Sequence, residues 1–126
     1  MKYFAFKSWR MTATFLALII MLPLSGCKSY WIAAHIVNQT GETIRELEVD
    51  YPTASFGTNS LVPGATMDYR FKIRGSGPIK VGYITPDGKT SHAEGLELVE
   101  EQQGELTILL LSHGKVEFQP SFKPAS

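Results

Sequence analysis

The residue best suited to covalent chemistry is Cys27, the chain's single cysteine, which follows Leu24-Ser25-Gly26. Its thiolate is a strong nucleophile, and the small residues before it let the backbone into a peptidase site. One cysteine cannot build an internal disulfide or a cysteine-rich zinc site. His35, His92 and His113 remain as candidate metal ligands. No two of them stand at HxH, HxxxH or HExxH spacing, so a site would need separate elements to converge, and solvent or edge positions are the plainer expectation. Ser91-His92 and Ser112-His113 set a hydroxyl beside an imidazole. Adjacent strand residues point to opposite faces, however, and no GxSxG elbow accompanies either pair. Gly75-Ser76-Gly77 runs into Pro78 and a strand instead of a helix N-terminus, which makes it a hairpin turn and not a phosphate loop. Nucleophile, base and orienting group cannot be placed together, so no catalytic residue, cofactor or enzymatic activity is expected.

The residues before Cys27 give its thiol a context. Lys2, Lys7 and Arg10 stand without an acid in residues 1–10, and residues 11–24 are uncharged and mostly apolar. This is the order of a secretory signal peptide. The 17 residues between Arg10 and Lys28 include Pro23 and fall short of the roughly 20 apolar residues a membrane span needs. With Leu24-Ser25-Gly26-Cys27 at its end, the segment resembles a bacterial lipoprotein signal carrying its lipobox, over the first 27 residues. The resemblance implies a fatty acyl anchor such as palmitate on Cys27, cleavage after Gly26 and acylation of the new amino terminus. Lys28 stands where inner-membrane lipoproteins of Gram-negative bacteria usually carry Asp. By the same resemblance the destination is therefore the outer membrane, facing the periplasm, in preference to an inner or plasma membrane.

Removing residues 1–26 changes the composition. The whole chain of 126 residues has 12 basic and 12 acidic side chains, whereas residues 27–126 keep nine basic and all twelve acidic ones, a net charge of minus three. Neither balance makes an electrostatic case for nucleic acid. A chain of 100 residues buries a little over 60% of its unfolded surface, enough for one core.

Apolar residues in this part alternate at period two, the pattern of strands with one dry face. Leu47, Val49 and Tyr51 form one set, Met67, Tyr69, Phe71 and Ile73 another, then Ile79, Val81 and Tyr83, and Leu106, Ile108 and Leu110. A first strand is expected over residues 31–37, a short one between Ser55 and Leu61, one holding His92, and a short closing one at Val116 and Phe118. Asn38-Gln39-Thr40-Gly41, Pro63-Gly64, Pro86-Asp87-Gly88 and His113-Gly114 supply turn chemistry between them. Turn signals every 8 to 12 residues or so point to an all-β antiparallel sandwich of about seven strands. Residues 96–103 are the one helical candidate, with a connecting turn as the equal alternative. The Pro63-Gly64 turn, the Tyr69 to Phe71 strand and the Asp87-Gly88 hairpin resemble the small Ig-like or fibronectin-III-like domains of bacterial envelope proteins, a resemblance that implies architecture and no activity. The expected organisation is a signal-peptide helix over 1–26, a lipidated tether over 27–30, the sandwich over 31–118 and a mobile tail over 119–126.

Two charged rows are candidate contact surfaces. Glu46, Glu48 and Asp50 alternate on one strand and Arg70, Lys72 and Arg74 on another. The first expectation is that these strands are neighbours and the rows form cross-strand pairs. Otherwise Arg70, Lys72 and Arg74 make a basic strip for lipid headgroups, cell wall or an acidic partner. The tether of Lys28, Ser29 and Tyr30 reaches only about 10 Å, which places Tyr30 and Trp31 either in the headgroup region or, for Trp31, as a plug in the open end of the sandwich. Asn38-Gln39-Thr40 matches a glycosylation sequon and carries no functional weight in the bacterial setting that the lipobox resemblance implies. The function expected is a membrane-tethered envelope lipoprotein, its sandwich binding or scaffolding an envelope protein or cell-wall component. The alternative is a periplasmic metal-binding or sensing domain using His35, His92 or His113.

Overall fold

The computed structural model describes residues 30–123. The signal-peptide helix, Cys27 with its motif residues Leu24, Ser25 and Gly26, and the end of the tail lie outside the described residues. Eight strands follow one another: β1 (Ile32–Asn38), β2 (Ile44–Tyr51), β3 (Ala54–Leu61), β4 (Thr66–Phe71), β5 (Gly77–Ile84), β6 (Thr90–Leu98), β7 (Gln103–Leu110) and β8 (Val116–Lys123). They form two four-stranded sheets, ordered β4-β1-β7-β8 and β3-β2-β5-β6. The all-β sandwich expected from the alternating pattern is therefore present.

Alternation decides which face of each strand turns inward. In β1, Ile32, Ala34, Ile36 and Asn38 are buried, while Ala33, His35 and Val37 face outward. Leu106, Ile108 and Leu110 of β7 share the interior with Ile79, Val81 and Tyr83 of β5. The β3 and β4 edges of the two sheets meet through stacked rings, with centroids 4.2 Å apart for Phe56 and Tyr69 and 4.3 Å for Tyr51 and Phe71. At the other edge Phe118 of β8 lies against Gly95 of β6, where an added Cβ would approach the ring to 2.4 Å.

Three features differ from the sequence expectation, and one segment left open is decided. The strand pairs are not all antiparallel: β1 and β7 run parallel, with Ile32 opposite Gly104 and Asn38 opposite Leu110. The closing strand does not stop at Phe118 but continues to Lys123, so residues 119–123 belong to the sandwich and not to a tail. Pro120 interrupts the alternation of Val116, Phe118 and Phe122. It is tolerated because β8 is an edge strand, where a missing N–H leaves no central ladder bond broken. Residues 96–98 complete β6 and the chain turns at 99–102, so this segment follows the turn alternative and not the helical one. Finally, Ile44 and Leu47 both point inward with two exposed residues between them, a break of parity absorbed by a bulge. Glu46 lies within that register shift and adopts a left-handed φ of 49°.

Asn38 is the buried polar side chain of the core. Its Nδ2 donates to the carbonyls of Glu42 at 2.8 Å and Leu61 at 2.9 Å. Its Oδ1 accepts from the Thr40 backbone N–H at 3.1 Å and from the Thr40 hydroxyl at 2.7 Å. Its own N–H donates to Ala65, and its carbonyl accepts from Gly64. The residue thus ties the β1–β2 and β3–β4 loops into one corner, and in the folded domain this buried side chain is closed to glycosylation. Asn38→Ala strands the buried Leu61 carbonyl and is expected to lower the unfolding free energy by about 1 to 3 kcal/mol, measured by urea denaturation; a loss within experimental error would show that the corner holds without it.

Candidate functional site

The two charged rows fall on different sheets. The acidic residues are on β2 and the basic ones on and just after β4, and these strands are not paired. The expectation of cross-strand pairing between the rows is therefore overturned: β4 instead pairs with β1 and β2 with β3 and β5. Each row has its own surroundings.

On the outer face of the β4-β1-β7-β8 sheet, register brings Arg70 opposite Ala33 and Ala33 opposite Glu105. The row beyond holds Trp31, with Lys72 on the β4 side and Gln103, opposite Lys123, on the β7 side. The Arg70 guanidinium lies 5.1 Å and the Lys72 ammonium 4.7 Å from the Trp31 ring centroid. Both are cation–π distances. Because Ile32 is buried, its neighbour Trp31 must face outward, and it stays 36% exposed. It does not plug the open end of the sandwich. Small residues, Ala33 and Gly104, floor a shallow groove of about 470 Å³ beside it, with Ser121, Lys123 and Glu105 along its wall. Arg74 follows the buried Ile73 and is exposed at the same end. Among the described residues Arg70, Lys72, Arg74 and Lys123 make no ion pair with a carboxylate. The result is an indole bracketed by unneutralised cations over a small-residue floor, an arrangement suited to anionic, amphipathic ligands.

The histidines do not converge. His35 is on the outer face of one sheet and His92, opposite Gly82, on the outer face of the other, with the core between them. Face-to-face sheets lie about 10 Å apart, which already exceeds any shared coordination sphere. His113 is in the turn before β8, in a left-handed conformation with φ of 63°. Among the described residues no group of three or more His, Cys, Asp and Glu side chains is arranged to hold a metal ion.

His35 does have partners that spacing along the sequence could not reveal. Its Nδ1–H donates to Asp68 Oδ1 at 2.6 Å, and its Nε2 lies 3.5 Å from Glu105 Oε1. Asp68 comes from β4 and Glu105 from β7, on either side of β1, so the contact exists only because β1 is central. Both carboxylates favour the imidazolium, and the Asp68 hydrogen bond most of all, so they hold His35 above its ordinary 6.5 although partial burial opposes them.

The acidic row lines a separate groove of about 790 Å³ on the other sheet, where Glu48 and Asp50 face Lys80, His92 and Glu94. The side-chain hydrogen bond with Asp50 pushes the Glu48 carboxyl above its ordinary 4.5. At the far end of the sandwich a polar cleft of about 650 Å³ lies among Thr40, Asp87, Ser91, Ser112 and His113. Among the described residues no serine or threonine hydroxyl in either groove hydrogen-bonds to a histidine.

A raised His35 value fixes the sign of its pH dependence. The unfolded chain titrates near 6.5 and the folded one above it. The imidazolium's contribution to stability is therefore fully present below 6.5 and is lost as pH rises through the folded value. Titration followed by NMR should place the His35 imidazole above 6.5, and Asp68→Asn should bring it down. The pair is solvent-exposed, so the matching fall in stability is at most about 1 kcal/mol. A His35 that titrates at or below 6.5 would refute the ion-pair geometry.

No family model matches the chain, and no curated protein matches it. Among solved structures the chain is similar to the NMR structure of a protein from Eubacterium rectale, at 18% identity and a TM-score of 0.52. The match covers 75% of this chain and 93% of that one. At this identity the likeness supports the sandwich architecture and carries no activity.

Proposed function

We propose that this protein is a lipid-anchored protein of the bacterial envelope, held by acylated Cys27, whose β-sandwich binds or scaffolds another envelope component without catalysing a reaction. The observation that carries the reading is the order of Lys2, Lys7 and Arg10, an uncharged apolar run and Leu24-Ser25-Gly26-Cys27. That order matches the needs of export, peptidase access and thiol acylation. Two or three acyl chains anchor a protein stably where a single chain does not. Lys28 in place of Asp favours the outer membrane, with the domain in the periplasm.

The geometry favours binding over catalysis. Asp68 and Glu105 both favour the imidazolium of His35, the form that cannot take a proton from a nucleophile. The groove beside Trp31 is open and shallow, a contact surface more than a reaction chamber.

Maturation tests the anchor. Metabolic labelling with an alkyne fatty acid should mark the wild-type chain, and the label should be lost in Cys27→Ser. Globomycin should accumulate the unprocessed form. Normal maturation of Cys27→Ser, or under globomycin, would sink the reading. Crosslinking in intact envelopes should then recover the scaffolded component.

A further inference from the structure

Trp31, Arg70, Lys72, Arg74 and Lys123 gather at the end of the sandwich where the chain enters from Cys27. Of the eight basic residues between Tyr30 and Lys123, these four are half, although this stretch carries twelve acidic ones. Half of the domain's basic side chains are therefore gathered around Trp31 on one face of that end, in a domain that is acidic as a whole. Val99, half exposed in the β6–β7 turn, adds apolar surface at the same end, since the Gly104 N–H just beyond that turn donates to the Trp31 carbonyl. The carboxylates toward this end are Glu105, which faces His35, Glu100 and Glu101 in the turn, and, on the other sheet, Glu97 opposite Pro78 and Asp50 opposite Lys80.

Reach selects the occupant. Four residue steps separate Cys27 from Trp31, so their Cα atoms are at most about 14 Å apart. The headgroup layer of one leaflet is about 5 to 8 Å thick. A chain acylated at Cys27 cannot hold Trp31 and its cations far from that layer. Indole rings favour the interface, and Lys and Arg near the surface are drawn to anionic headgroups. Arg70 and Lys72, both drawn to one ring with no carboxylate between them, are relieved of mutual repulsion when a phosphate enters.

We propose that this end of the domain docks on the anionic phospholipid surface of the bilayer that anchors it, with Trp31 in the headgroup layer and Arg70, Lys72, Arg74 and Lys123 on lipid phosphates. The proposal rests on the lipid-anchor reading and adds a second, electrostatic contact. Docking turns the outer face of the β4-β1-β7-β8 sheet toward the membrane at its β1 entry end and leaves the polar cleft of Thr40, Asp87, Ser91 and His113 facing away from it.

The test uses the acylated chain purified from membranes and reconstituted in vesicles. Trp9 and Trp31 are the two tryptophans, so Trp9→Phe makes the emission that of Trp31 whatever the extent of processing. In vesicles containing phosphatidylglycerol, Trp31 emission should shift to the blue, be quenched by brominated lipid, and show about twofold less quenching by aqueous acrylamide than in phosphatidylcholine vesicles. Raised salt, or Arg70→Glu with Lys72→Glu, should abolish the difference. Arg74→Gln with Lys123→Gln, which leaves the Trp31 contacts in place, should reduce it. Trp31 equally open to acrylamide in both lipids, with the chain still floating with the vesicles, would overturn docking and leave the anchor standing. Protection unchanged by lipid charge, salt and charge reversal would overturn it too. A chain that stays in the aqueous fraction would overturn both readings.

Discussion

Parallel pairing of β1 with β7 is the constraint on which most of this molecule depends. Two strands separated by more than 60 residues must be brought side by side, with Ala34 opposite Leu106 and Ile36 opposite Ile108. The free energy comes from burying those apolar side chains. The same register turns Trp31, Ala33 and His35 outward. A slip of one residue would exchange the two sets, burying an imidazole and an indole while exposing two isoleucines. Core and surface patch are therefore two consequences of a single pairing.

Placing β1 in the middle of its sheet also decides the electrostatics. A central strand has a neighbour on each side, so His35 meets Asp68 from β4 and Glu105 from β7, and Trp31 meets cations from β4. Elsewhere the chain accommodates its irregularities locally. Asn38 ties its corner together through four side-chain hydrogen bonds, and a bulge around Glu46 absorbs the broken parity of β2. At Gly57, opposite that strand, an added Cβ would lie 2.0 Å from the Leu47 carbonyl oxygen, so the close approach of β2 and β3 requires glycine. The two sheets meet through aromatic rings at one edge and through Phe118 against Gly95 at the other.

This arrangement gives the domain a polarity. The chain enters at the end that carries Trp31 and the unpaired cations. The loops with Thr40, Asp87 and His113 occupy the other end. An attachment at Cys27, as proposed, would present the two ends to different surroundings, one to the bilayer and one to the envelope space.

Period-two alternation and turn residues, read from the sequence alone, determined the class of fold, because whether a strand side chain is buried follows from parity within a few residues. They pointed to about seven strands where there are eight, left the His92 strand without bounds and ended the closing strand at Phe118, although the continuing pattern at Phe122 was the signal that β8 runs on. The proposed anchor motif ending at Cys27 is a short linear stretch read along the chain, and it lies outside the described residues. Strand partnership was not legible in the sequence. Which rows of charge face one another depends on contacts between residues far apart in the chain, and the sequence is silent on whether β4 prefers β1 or β2. Tertiary structure alone separated the acidic from the basic row, set His35 between two carboxylates and placed Trp31 beneath Arg70 and Lys72, because each of those contacts is made across strands by core packing and not along the chain.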